Sequence, residues 1–443
     1  MRKILIILSL TLSVNISAQD ILSLKDRAEF INELQQDRFN NLLPSLMKKT
    51  SIDMWVLITR EYNEDPIIKT MLPPKWLNAR RTTILVFSRD SKTNEFKSVA
   101  ITRYPFGDNI PSIWDKDKQP NQWKALRDYI VSQDPSKIGI NSSSYESLAD
   151  GLSKYHYDQL YNVLPNKYRN RIVSAEDLAI AWIETRTAME MTVYSHLVEI
   201  SHAIIREAFS TKVITPGITT TDDVVWWMRE KVIDLGLDTW FHPSVDVQRK
   251  DASDLYAFDN KSKFDRIQPG DLLHCDFGIS YLTLNTDCQE LGYVLKPGET
   301  SAPDFLVNAL KEGNRVQDIF TNNFALGVTG NEILRKSLKQ GKSEGLRPSI
   351  YTHPLGTYGH SAGTTLGMWD SQGGVPLTGD YPLHHNTAYA IELNTTVYIP
   401  EWKKDIRIML EVPGFFGKDG FRYINGRQTE LLLVGPKQEG LND

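Results

Sequence analysis

The sequence predicts an α/β domain followed by an α+β domain, and three observations carry that expectation. From Asp20 to Ala175, helical patterns alternate with the β-rich runs Met54 to Thr59, Thr82 to Phe87, Ser98 to Ile101 and Lys137 to Ile140, as in a layered α/β unit. Near Glu176 a helical stretch begins, in which Met189, Leu197, Ile200, Ile204 and Ile205 recur at three- and four-residue spacings. Beyond it the composition shifts to short strands and Gly-rich turns. With 443 residues, 41% of them hydrophobic, the chain can bury the cores of two or three domains. The expected division is a leader over 1–18, an α/β domain over 19–175 and a second domain over 176–443.

The leader reads Met1-Arg2-Lys3, then an apolar run from Ile4 to Val14, then Ser17-Ala18-Gln19. A basic start, an apolar centre and small residues are the parts of a secretory signal peptide, with cleavage expected near Ala18. The run is short for a membrane span and no later segment looks transmembrane. A soluble mature protein in a periplasm or outside the cell is therefore expected. A formal charge of −5 and the lack of a dense Lys/Arg run argue against a nucleic-acid partner.

In the α/β region no catalytic cluster is evident. In the second region, Thr215-Pro216-Gly217 breaks the chain, and Thr219 to Thr221 with Asp222 and Asp223 supply N-cap chemistry for a helix from Asp222 to Leu235. Pro269-Gly270-Asp271 is a turn, and Leu272 to Ile279 reads as a strand carrying Asp276, with Asp287 eleven residues further on. In a hairpin that set Asp276 opposite Asp287, both carboxylates would leave one face and repel, unless a cation lay between them.

Next comes the loop from Thr352 to Gly363, in which His353 and His360 stand seven apart among glycines that permit close backbone approach. Neutral imidazole is a good metal ligand, and a second imidazole can serve a substrate. Finally, Tyr389 to Leu393 and Ile406 to Val412 read as strands that each place a carboxylate, Glu392 and Glu411, in an apolar run. A carboxylate there must reach solvent, a positive partner or a metal. In the order Asp, Asp, His, Glu, Glu, these five residues could supply a two-metal centre.

The region from about residue 180 to 435 resembles the pita-bread metallopeptidases, the group of methionine aminopeptidase, Xaa-Pro aminopeptidase and prolidase. The two-domain layout is most similar to the Xaa-Pro aminopeptidase and prolidase branch. An Asp-x-Gly strand, a second Asp about eleven residues on, a His followed by x-Leu-Gly, another His seven later and a later Glu are matched by Asp276, Asp287, His353, His360 and Glu392.

The resemblance implies an α+β pita-bread catalytic domain with a curved antiparallel sheet. It implies two divalent metal ions, with manganese, cobalt and zinc as candidates; oxygen-rich ligation with one imidazole fits manganese comfortably. Asp276 would bind one ion, Asp287 and Glu411 both, and His353 with Glu392 would complete the other. His360 would face the substrate. A metal-activated water would attack the peptide carbonyl while Glu392 shuttles a proton. The implied activity is hydrolysis next to proline in short peptides, by an enzyme whose relatives are often homodimers.

Three departures bear on the specificity pocket. The family's last Glu commonly follows an Arg-Ile pair directly, whereas Met409-Leu410 separates Arg407-Ile408 from Glu411. The branch also carries a histidine some seventeen residues before the first Asp, where this chain has Tyr256 and Phe258; His242 is the nearest upstream candidate. An insertion containing Trp369 to Gly374 separates His360 from Glu392. In the hairpin register above, Cys275 would lie opposite Cys288, either as a cross-strand disulfide or as two buried thiols. Arg427 reads as structural. The competing readings are a lyase or amidinohydrolase on the same fold and a binding module with a dead site.

Overall fold

The computed structural model describes residues 21–90, 92–251 and 266–435. The expected signal segment and the pair Tyr256 and Phe258 lie outside them.

The first sheet has five strands in the order β3-β2-β1-β4-β5. They are β1 (Met54–Arg60), β2 (Thr82–Arg89), β3 (Phe96–Ala100), β4 (Ile138–Ile140) and β5 (Ile172–Ser174). β2 runs antiparallel to both β1 and β3, while β4 is parallel to both β1 and β5. Both faces are covered. Trp55, Leu57, Leu85 and Phe87 pack under Phe39, Leu43 and Trp182, and Met54, Val56 and Ile58 pack against Leu126, Ile130 and Leu160 on the other side. That two-sided burial is why Met54 to Ile58 reads as an unbroken apolar run rather than an alternating one. β5, three residues long and at the edge of the sheet, was not expected.

The helical stretch expected from Glu176 is two helices, Glu176–Glu184 and Ala188–Ala208. Thr187 starts the second. Its hydroxyl accepts the Glu190 N–H while the Glu190 carboxylate accepts the Thr187 N–H, a reciprocal cap that opposes continuation of the first helix. The break is largely buried, and two arginines hold it. Arg38 donates to Thr185 O at 3.0 Å and to Glu190 at 2.9 Å, and Arg186 donates to Glu190 at 3.2 Å. Thr220 and Asp223 make the same kind of cap for the helix Thr221–Asp234.

The C-terminal part is built from three sheet sections and one short hairpin. β6 (Ser244–Gln248), β7 (Leu272–Phe277), β10 (Cys288–Val294) and β18 (Leu432–Val434) form the order β18-β10-β7-β6, all antiparallel except β10 with β18. β8 (Ser280–Tyr281) and β9 (Leu284–Asn285) close the hairpin between β7 and β10. β11 (Pro348–Ile350), β14 (Leu393–Ile399) and β15 (Lys404–Leu410) form the second section. β12 (His353–Leu355), β13 (Thr387–Ala390), β16 (Pro413–Gly417) and β17 (Gly420–Tyr423) form the third.

The second and third sections are one bent ribbon. Three chain segments pass from one to the other: β11 into β12, β13 into β14 and β15 into β16. They stay paired through the bend, where Tyr351 N donates to Glu392 O at 3.2 Å and Ile391 N donates to Val412 O at 3.0 Å. The helix Asp304–Thr321 packs Leu306 and Leu310 on Ile406, Ile408 and Leu410 behind this ribbon. Among the described residues no helix is long and apolar enough to cross a membrane.

Asp65 illustrates how the α/β part is held. It caps the helix Pro66–Met71 by accepting from Ile67 N at 2.8 Å, and both its oxygens accept from Asn141, which in turn holds the Trp55 indole. Burial nevertheless raises its pKa from 3.8 to about 6. A raised folded-state value means that the protonated form is favoured by folding. The stabilisation is full below about pH 3.8 and is lost as pH rises through about 6. Asp65→Asn keeps a good capping residue and removes the titration. Between about pH 4 and pH 7 its stability relative to wild type should improve by up to ~3 kcal/mol, measured by urea unfolding at several pH values. An unchanging difference would contradict the assignment.

Candidate metal centre

Asp276 lies on β7 and Asp287 immediately precedes β10. The register differs from the expected one: Asp276 pairs with Gln289, Cys275 with Glu290 and Cys288 with Phe277. The turn explains the two-residue shift. Leu282 and Thr283 occupy its centre, with φ of 51° and 65°, in a position that Asn or Gly would normally announce. Because the shift is even, Asp276 and Asp287 keep to one side of the hairpin and the cysteines to the other. Cys275 and Cys288 are thus diagonal rather than opposite, and both are buried free thiols with pKa values pushed up by burial.

The remaining three residues sit at the ribbon's bend. His353 is the first residue of β12. Glu392 and Glu411 are not inside continuous strands as expected; Glu392 falls between β13 and β14, and Glu411 between β15 and β16. At these points the pleat is interrupted, so a side chain can be aimed out of the ladder's alternation. Thr352 fixes the first of them, donating its hydroxyl to Glu392 O at 3.0 Å and accepting Glu392 N at 3.1 Å. Glu411 is bridged to the hairpin: Gln289 N donates to Glu411 O at 2.9 Å.

All five predicted residues converge. Asp287, His353 and Glu411 offer one ligand atom each within 4.8 Å of one another, as do Asp276, Glu392 and Glu411. The two groups share Glu411. Glu392 thus groups with Asp276 rather than with His353, and Asp287 falls in only one group. His353 Nδ1 lies 2.9 Å from Pro354 O, so the proton belongs there. That leaves Nε2 bare, 3.6 Å from Asp287 Oδ2 and 3.7 Å from Glu411 Oε1.

Three of the four carboxylates, Asp287, Glu392 and Glu411, lack a lysine or arginine partner among the described residues, and Asp287 Oδ1, Glu411 Oε1 and His353 Nε2 are buried without hydrogen-bond partners. Burial, then repulsion from the neighbouring carboxylates, pushes Glu392 and Glu411 well above the usual carboxylate range. Hard oxygen donors with one imidazole suit divalent metal ions.

His360 stands at the exposed mouth, its ring 4.7 Å from that of His353 and perpendicular to it. Partial burial, then the His353 ring, lowers its pKa, which favours the neutral imidazole. Sequence reasoning passed over Trp240. Its ring meets that of His360 edge-on at 5.1 Å, and its indole N–H donates to Thr286 O at 2.9 Å. Trp240 also accounts for Gly359, where a Cβ would come within 2.3 Å of the indole, whereas a Cβ on Gly278 would first meet Thr286 O at 2.2 Å. The neighbouring His242 is instead exposed, beside Arg229 and Trp226. Arg427 pairs with Asp318 at 2.6 Å, and the Trp369 side chain of the insertion is exposed.

The model of metallopeptidase family M24 matches residues 194–412. A comparison with curated proteins finds no match. Among solved structures, the chain is similar to an X-Pro aminopeptidase from Thermotoga maritima (14% identity, TM-score 0.62), over 88% of this chain and 100% of that one. It is similar to an Xaa-Pro dipeptidase from Bacillus anthracis (15% identity, TM-score 0.56), over 93% and 100%. It is also similar to the N-terminal domain of a FACT complex subunit from chickpea, Cicer arietinum (11% identity, TM-score 0.54), over 95% and 100%. These likenesses carry the fold, an α/β domain followed by a pita-bread domain.

Burial and mutual repulsion favour the protonated carboxyls of Glu392 and Glu411 while a cation needs the carboxylates, so metal binding should release protons and strengthen as pH rises. Titration calorimetry with manganese, in buffers of different ionisation enthalpy, should show net proton release and tighter binding at about pH 8 than at about pH 6. Binding that is independent of pH would contradict the raised pKa of these carboxylates.

Proposed function

The C-terminal half of the chain belongs to metallopeptidase family M24, and from that premise we propose that the protein is an exported, dinuclear peptidase cleaving bonds next to proline in short peptides. The observation that carries the proposal is the pair of ligand groups sharing Glu411, with His360 exposed beside them. Export is supported by the leader-like sequence from Met1 to Ala18, and the proline preference by the printed names of two of the similar structures.

Asp276, Asp287, His353, Glu392 and Glu411 would hold the ions, most simply manganese. Bound there, a pair of divalent ions supplies Lewis acidity toward the scissile carbonyl and lowers the pKa of the attacking water. The chain's own residues do the rest. Glu392, ionised once a cation has displaced its proton, would take a proton from the attacking water and pass it to the leaving nitrogen. His360, neutral and held between His353 and Trp240, can donate an N–H to the oxygen on which charge develops.

The chain freed of its leader should release the residue before proline from Xaa-Pro peptides only with added divalent metal. Asp287→Ala should lose both metal and activity. His360→Ala should retain metal, measured by elemental analysis, while kcat falls about 10²–10³-fold. Bound metal with no cleavage of any Xaa-Pro peptide would overturn the substrate assignment, and a wild-type chain that takes up no metal would overturn the centre itself.

A further inference from the structure

Gln289 is buried, 4% exposed, and sits on β10 opposite Asp276. Its amide nitrogen carries two hydrogens and has two partners. It donates to Glu392 Oε1 at 2.6 Å and to Glu411 Oε2 at 2.9 Å. Its oxygen lies 3.0 Å from His274 Nε2. An amide oxygen only accepts, so this contact places the imidazole proton on Nε2.

With the two glutamates ionised, as a bound cation requires, the reverse amide orientation would turn the oxygen toward two carboxylate oxygens that can only accept. His274 and the glutamates therefore select the same orientation from opposite ends. His274 shares its side of the hairpin with Asp276, and its other nitrogen is 3.9 Å from Asp246 Oδ2 on the adjacent β6. The line of side chains thus starts in the β7–β10 sheet and ends at two of the ribbon's crossings.

What the amide does follows from which oxygens it occupies. By taking Glu411 Oε2 it leaves Oε1 turned toward His353. A lysine or arginine in its place would neutralise the glutamates and compete with an incoming cation. A neutral donor orients them and leaves their charge available.

We propose that Gln289 is a positioning residue of the metal centre, one neutral amide that sets which oxygen of Glu392 and of Glu411 faces the ions, with His274 locking its orientation. This rests on the metal-centre reading above.

The test measures manganese affinity by titration calorimetry and the melting temperature of the metal-free protein. It compares the wild type, Gln289→Leu, His274→Leu, the double variant and Asp287→Ala. Gln289→Leu should weaken manganese binding about 10–100-fold. His274→Leu should weaken it less, and the double variant should bind no more weakly than Gln289→Leu, because His274 acts through Gln289. Purely structural roles would lower the melting temperature and leave affinity unchanged. Gln289→Leu with wild-type affinity, alongside an Asp287→Ala that does not bind, would overturn this proposal and leave the metal centre standing. Additive losses in the double variant would overturn the locking role of His274. A wild-type chain that binds no manganese would sink both readings. Where Gln289→Leu does not fold, Gln289→Ser keeps the position polar and is read in the same way.

Discussion

Carboxylates gathered in a part-buried space repel one another, and much of the C-terminal architecture is arranged around Asp276, Asp287, Glu392 and Glu411 despite that repulsion. Two of them have pKa values raised by burial and by their neighbours, and no arginine or lysine is spent on Asp287, Glu392 or Glu411 among the described residues. Elsewhere the chain does pair buried charge: Glu190 is held by Arg38 and Arg186. The contrast is informative. A protein able to place two guanidinium groups on one buried glutamate places none on Asp287, Glu392 or Glu411 among the described residues, which is sensible where a cation from solution is to bind.

The bend in the ribbon is what makes such a cluster affordable in structure. Side chains on a regular strand alternate between faces, so two glutamates from neighbouring strands would be placed by register alone. Glu392 and Glu411 instead occupy crossings between sheet sections, where Thr352 and Gln289 pair with their backbones. The main-chain groups freed by leaving the ladder are thereby satisfied locally. The helix behind the ribbon supplies the apolar burial, through Leu306, Leu310 and the β15 residues Ile406, Ile408 and Leu410, that holds the crossings in place.

The ordered set Asp276, Asp287, His353, Glu392 and Glu411 was legible because residue types and spacings survive in a linear reading, and the structure brings the five together. The first four strands were legible as apolar runs. The hairpin register was not, because its turn places Leu282 and Thr283 at positive φ, where neither residue type signals a turn. The crossings were hidden for a related reason: Ala390-Ile391-Glu392-Leu393 is as apolar as a strand interior, and only pairing with different neighbours divides it. Trp240 and Gln289 carried no signal at all. An aromatic residue and an amide are ordinary in isolation, and their importance lies in contacts made across the chain.

The α/β part contributes none of the five clustered residues, yet it reaches the loop that carries the two histidines. Tyr358, two residues before His360, donates its hydroxyl to Pro66 O at 2.8 Å, at the start of the helix that Asp65 caps. Two residues earlier, Gly356 O accepts both the backbone N–H of Asn285 at 2.8 Å and its side-chain amide at 3.0 Å. A Cβ at Gly356 would fall 2.8 Å from the Arg186 guanidinium carbon, so the loop lies directly on the buried arginine that joins the two helices. The loop is therefore gripped from three sides: by the α/β part, by the tip of the Asp276 hairpin and by the helix break. His360 is exposed, but the backbone that carries it is not free to wander, and that is the condition under which an imidazole can meet a developing charge without reorganising first.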